Sequence, residues 1–87
     1  MTVSLPEKFQ SIAINQQLDA CGLACPLPLL KARQALRGLQ PGETLLVLAT
    51  DAGSWRDFAA FAEQSGHLLL EAAEMDAVYY YLIQHRA

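Results

Sequence analysis

The residues here best suited to chemistry are two cysteines four positions apart. They stand in the stretch Leu18-Asp19-Ala20-Cys21-Gly22-Leu23-Ala24-Cys25-Pro26-Leu27-Pro28, which runs straight into an apolar, helix-forming segment. Proline holds φ near the helical value and lacks an N–H, so it suits the first turn of a helix, where that N–H has no intrahelical partner. Pro26 and Pro28 therefore open a helix, and Cys25 stands at or next to its N-cap. Free N–H groups and the positive end of the helix dipole favour a thiolate there, with thiol pKa values of roughly 3.5–7.5. Gly22 lets the chain turn sharply just upstream. Cys25 is thus expected to be a nucleophilic or sulfur-carrying thiol, against the plainer alternative of a small buried hydrophobe. Cys21 has two readings. It resolves a Cys25 persulfide or sulfenic acid into an intramolecular disulfide, which needs Cα atoms within about 7 Å, or it packs against the helix at the end of a strand.

Other polar residues frame the same end of the chain. Lys31, Arg33 and Arg37 follow the thiol along the helix, as a docking surface or as a solvated face. Asp51 and Asp57 lie at the end of one expected strand and the start of the next helix, where both can flank Cys25, although Asp57 reads equally well as a helix cap. Trp55 reads as core or, if partly exposed, as an anchor for a partner. A metal site is not expected: Cys21, Cys25, His67 and His85 offer a single cysteine pair and histidines in no paired motif. His67 reads as a strand-edge residue, and His85 sits near the end of the sequence. No small cofactor is implied, because no Gly-rich phosphate loop or cradle for a nucleotide or flavin is present.

The elements that must position these residues follow from periodicity. Ile12, Ile14, Leu18 and Ala20 alternate with polar residues, predicting a first strand near 15–19. A helix over 26–37 carries Leu29, Ala32, Leu36 and Leu39 on one stripe and ends at Gly38, before the turn Gln40-Pro41-Gly42. The unbroken run Leu45-Leu46-Val47-Leu48-Ala49 predicts a central strand covered on both sides. Ser54 with Asp57 is a weak capping box for a second helix over 54–65, with Trp55, Phe58, Ala59 and Ala62 inward and Gly66 closing it. Strands over 67–71 and 78–84 follow, joined around Glu74-Met75-Asp76, with Tyr79, Tyr80 and Tyr81 favouring the last one. The order β-α-β-α-β-β predicts an α/β fold: a two-layer α/β sandwich with a mixed four-stranded sheet and two helices on one face.

Eighty-seven residues allow one small core, and 53% hydrophobic against 17% charged residues argues against disorder. Residues 1–10 are expected to be a loosely held extension and residues 11–87 a single domain. A net charge of −3 with six lysines and arginines provides no field for neutralising many phosphates, so direct nucleic-acid binding is not expected. No signal-peptide pattern opens the sequence and no apolar run approaches membrane-spanning length, which predicts a cytoplasmic protein with no membrane contact. In that compartment cysteines are more often chemical or merely buried than disulfide-bonded.

Cys25-Pro26-Leu27-Pro28, with Leu18-Asp19-Ala20 and Gly22-Leu23 before it and Leu39-Gln40-Pro41-Gly42-Glu43 after it, resembles the TusA/SirA-like family of small sulfur-carrier proteins. Asp51 and Arg56-Asp57 fall where that family tends to carry polar residues, and the resemblance covers residues 18–86. It implies a fold similar to the C-terminal domain of translation initiation factor three. It also implies a persulfide carrier rather than a stand-alone turnover enzyme: a cysteine desulfurase or rhodanese-like donor loads Cys25, and an acceptor sulfur-relay protein receives the sulfur in tRNA thiolation, molybdoenzyme maturation or sulfur oxidation. The resemblance also tips Arg33 towards partner contact. Two positions depart from the pattern. The residue before the cysteine, commonly basic in the tRNA-thiolation members, is Ala24, and the residue between the prolines, commonly acidic, is Leu27, which gives the thiol an apolar rim and points to a different partner surface. Two other functions compete: a non-catalytic interaction or regulatory module in which Cys25 is incidental, and a redox protein using Cys21 and Cys25 as a pair.

Overall fold

The computed structural model describes residue 9 and residues 12–86. Its elements run β1 (Gln16–Ala20), α1 (Leu27–Arg37), β2 (Thr44–Ala49), α2 (Ser54–Ser65), β3 (Leu68–Met75) and β4 (Val78–Gln84). The strands form one mixed sheet in the order β1-β2-β4-β3, with β1 and β2 parallel and β4 antiparallel to both its neighbours. Both helices pack on one face, the α/β arrangement expected from the element order.

Every residue of β2 is buried. Leu45, Val47 and Ala49 point to the helical side, where they meet Ala32, Leu36, Phe58, Tyr81 and Ile83. Leu46 and Leu48 point the other way, to Tyr80 and Leu82. A strand covered on both faces has no polar side to show, which is why it reads as a continuous apolar run. Full burial of each such leucine or valine contributes roughly 1.5–3 kcal/mol. Part of the second face is covered by residues ahead of β1: Phe9 is fully buried with its ring centroid 6.1 Å from that of Tyr80, and Ile12 and Ile14 pack beside it. Of the loosely held extension expected over 1–10, only residue 9 lies among the described residues.

Three local expectations need correcting. The strand placed at 67–71 is longer, Leu68–Met75, and the turn moves on to Asp76-Ala77, both with positive φ (54° and 65°). Ala72, Ala73 and Glu74 are weak strand formers, but pairing with Tyr81, Tyr80 and Tyr79 holds them extended. A bulge at Leu70 shifts the register in the same strand. The Ser54–Asp57 capping box does not form: Gly53 is the N-cap of α2, and neither side chain caps it. Ser54 is buried and shares a 2.6 Å hydrogen bond with the Tyr81 hydroxyl. The inner face of α2 is Ser54, Phe58, Phe61 and Ala62, while Ala59 is exposed and Trp55 is 46% exposed.

Candidate functional site

The carboxyl ends of β1 and β2 and the amino ends of both helices converge at one end of the molecule. Cys25 lies there, immediately before Pro26, the N-cap of α1; Pro28 is buried in the first turn, and the Cys25–Pro26 peptide is cis. Upstream, Gly22 turns the chain with φ of 82° and donates its N–H to Thr50 Oγ1 at 2.8 Å, tying the loop to the end of β2. Two carboxylates reach across, Asp51 from the β2–α2 connection and Asp57 from the first turn of α2. Asp51 Oδ2 accepts the Cys25 backbone N–H at 3.0 Å, and Asp57 Oδ2 accepts a hydrogen bond from the Cys25 thiol. Gly53 packs against the same group: a Cβ there would lie 3.2 Å from Asp51 Oδ2, which would have to give by a few tenths of an ångström, and in van der Waals contact with Cys25 Sγ at 3.6 Å. The thiol opens onto a depression of about 440 Å³ lined by Ala52, Gly53, Trp55, Arg56 and Asp57.

This geometry corrects the expected thiolate. The Cys25 thiol is pushed up from its ordinary value, first by its hydrogen bond to Asp57, then by desolvation and by the charges of Asp57 and Asp51. The helix end has fewer than its usual donors to offset them. Pro26 and Pro28 have no N–H, and the Leu27 N–H is already bonded to Ala24 O at 2.9 Å. The prolines that mark the helix start thus remove donors a thiolate would use, and the nearest charges are negative. What the arrangement can do is hold an exposed thiol as a thiol, with a carboxylate in place to take its proton.

The region covering the site has a recognisable pedigree. A family model described as "Sulfurtransferase TusA" matches residues 16–85. The chain belongs to the TusA family of sulfur carriers. The sulfur carrier protein TusA of Allochromatium vinosum is 47% identical over 70 residues, covering 80% of this chain and 92% of that protein. A protein of Neisseria meningitidis serogroup A is 50% identical over 72 residues, 83% of this chain and 97% of its own length. The crystal structure of the SirA-like protein from Desulfitobacterium hafniense superposes with a TM-score of 0.73 at 30% identity, covering 83% of this chain and 99% of that one. As a TusA-family carrier, the protein must meet a sulfur donor and a sulfur acceptor.

Around this TusA-family thiol the other candidate residues separate. Cys21 is exposed and free, as is Cys25; it is not packed against the helix. Its backbone N–H donates to Asp19 Oδ1 at 3.0 Å, and its thiol is raised by burial first and by Asp19 second. Leu27, two residues after Cys25, is 45% exposed, and Trp55, 46% exposed, lines the depression at the thiol. Lys31 is exposed on α1. Arg33 lies in the groove between α1 and α2 with Leu29, Asp57 and Phe61, so it does connect to the thiol end. Arg37 does not: it is at the last turn of α1, about 16 Å along the helix. Gly53 escaped the sequence reading, since nothing local distinguishes a glycine that packs against a side chain 28 residues upstream. Among the described residues, no helix is long and apolar enough to cross a membrane, and no group of three metal-ligating side chains converges.

Proposed function

We infer that Cys25 carries the sulfur as a persulfide. The observation that supports this reading most directly is the Asp57 carboxylate on the thiol of an exposed Cys25 at an open depression lined by Trp55. A donor persulfide approaches, Asp57 takes the Cys25 proton, and the sulfur of Cys25 attacks the donor's terminal sulfur. The donor S–S bond breaks as the new Cys25 S–S bond forms. The donor leaves as a thiolate and receives the proton from Asp57, so there is no net oxidation. In the second half an acceptor thiolate attacks the terminal sulfur, and Cys25 departs and regains its proton. Between transfers the raised pKa keeps Cys25 protonated, which protects an exposed thiol from adventitious oxidation.

The donor in this reading is a cysteine desulfurase or a rhodanese-like protein, docking on Leu27, Trp55 and the Arg33 groove. The acceptor belongs to tRNA thiolation, molybdoenzyme maturation or sulfur oxidation. Intact-mass measurement after incubation with a cysteine desulfurase and cysteine tests the reading on wild type, Cys21→Ser and Cys25→Ser. The expected result is a reductant-sensitive gain of one sulfur that survives Cys21→Ser and vanishes with Cys25→Ser. Loading retained in Cys25→Ser would overturn it.

A further inference from the structure

At the opposite end of the helical layer, the positive charge of an acidic protein is concentrated. The net charge is −3, yet three of the six lysines and arginines and both histidines line one depression of about 490 Å³. Arg33 and Arg37 come from the C-terminal half of α1, His67 from the start of β3, and His85 and Arg86 from the end of β4, with Gln64 and Ser65 of α2 as neutral polar walls. No described lining residue is a carboxylate. The register of the β3–β4 hairpin brings its two ends together, and the His67 and His85 rings lie 4.7 Å apart.

Two hydrogen bonds fix how the histidine rings carry their protons. The Arg86 backbone N–H donates to His67 Nδ1 at 3.1 Å, so a neutral His67 carries its proton on Nε2. The Arg86 carbonyl is 2.7 Å from His85 Nδ1 and can only accept, so that nitrogen is the protonated one. Gly66, with φ of 83°, leaves room for Arg86: a Cβ there would stand 3.1 Å from the guanidinium. Complementing the helix dipole accounts for Arg37 in the last turn of α1. It does not account for four further basic side chains gathered from the two ends of the β3–β4 hairpin and from α1. Like charges so close repel, and His67 is held below its ordinary value by burial and then by His85 and Arg86. A bound anion would relieve that repulsion.

We propose that this depression, formed by Arg33, Arg37, His67, His85 and Arg86, is a binding site for a tetrahedral oxyanion of the sulfate or phosphate class. Guanidinium forks match such oxygens in pairs, His67 Nε2–H is a further donor, and His85, whose Nδ1–H is taken by the Arg86 carbonyl, becomes one through Nε2 when protonated. The depression does not include Cys25, but it shares Arg33 with the groove that reaches Asp57, so a bound anion and a partner docked on that groove would meet at this arginine.

The test is a titration with sodium sulfate, ionic strength held constant with chloride, following the histidine ring resonances by NMR between about pH 5 and 8. Sulfate remains a dianion over that range, so any pH dependence belongs to the protein. Saturable shifts at both histidines are expected, with the His67 titration midpoint raised by about half a pH unit or more at saturation and binding weakening as pH rises. Arg86→Gln and Arg37→Gln should each weaken sulfate several-fold, Arg86→Lys should restore part of the loss, and Lys31→Gln should change nothing. Inorganic phosphate should behave alike at the basic end of the range. Shifts that fail to saturate, that chloride reproduces, or that persist in both arginine variants would overturn the proposal. Unchanged melting of each variant shows that lost binding is not lost fold.

Discussion

Cys21 and Cys25 share their residue type, their exposure and a carboxylate neighbour, but the two carboxylates are delivered differently. Asp19 is two residues from Cys21 and bonds its backbone N–H; a contact that local is available to the chain before it folds. Asp51 and Asp57 are 26 and 32 residues from Cys25 and reach it only because β2 and α2 are packed in place. At Cys21 the first cause of the raised thiol is burial, whereas at Cys25 it is the hydrogen bond to Asp57. Exposure and an adjacent acid are therefore common to both thiols, and what separates them is that the surroundings of Cys25 depend on the tertiary fold.

The most severe way to break the comparison is to loosen α2. Phe58 follows Asp57 in sequence and stacks on Tyr81, with centroids 4.4 Å apart and planes 13° apart. Phe58→Ala removes the main attachment of the helix that carries Asp57 and should cost about 3–5 kcal/mol in denaturant unfolding. Under conditions where the variant is still folded, Cys25 should titrate nearer to an ordinary cysteine while Cys21 keeps its value. A cost below about 1 kcal/mol, or equal movement of both thiols, would show that α2 is not what holds the Cys25 site.

Asp57→Asn leaves the fold and removes the charge. The Asp57 carboxylate favours the protonated thiol twice, by accepting its hydrogen bond and by repelling the thiolate. Its loss must therefore lower the Cys25 pKa, and at any pH well below that pKa the thiolate fraction rises about tenfold for each pH unit by which the midpoint falls. Alkylation of Cys25 near neutral pH should speed up several-fold, with the midpoint of its pH profile moving down and that of Cys21 unmoved. Asp51→Asn should act in the same direction but more weakly, because Asp51 bonds the backbone N–H and reaches the sulfur only through its charge. Slower alkylation in Asp57→Asn would reverse the sign and show that the carboxylate does not hold the thiol protonated.

What could be read from the sequence was what local pattern carries. Pro26 and Pro28 announce a helix start, Leu45 to Ala49 a strand buried on both faces, and Leu29, Ala32 and Leu36 a helix stripe, because each is a property of a few consecutive residues. Asp57 shows the limit. Three positions after Ser54 it has the spacing of a cap, yet Ser54 turns inward to Tyr81 and Asp57 turns to Cys25, a choice made by packing across 27 and 32 residues. The same holds for Phe9, whose burial depends on the far face of the sheet, and for His67 and His85, which meet only through hairpin register. The expected low thiol pKa failed mainly because Asp57, 32 residues away, is brought onto the thiol by the fold, and only in part because prolines offer no N–H to a thiolate.

The gentlest perturbation is on the other thiol. Asp19 is held below its ordinary value by the Cys21 backbone N–H first and the Cys21 side chain second, so it stays ionised and keeps raising Cys21 well into the acidic range. Asp19→Asn removes that charge but leaves burial, the larger cause, in place. The Cys21 midpoint should therefore fall by less than that of Cys25 does in Asp57→Asn, and Cys25 should not move. Mass-resolved alkylation over a pH series reads both thiols in one sample. If Asp19→Asn shifted Cys21 as far as Asp57→Asn shifts Cys25, a carboxylate supplied by the local turn would be as effective as one placed by the fold. The distinction between the two cysteines would then have to rest on the surface each presents to a partner, with Leu27 and Trp55 as the residues to change next.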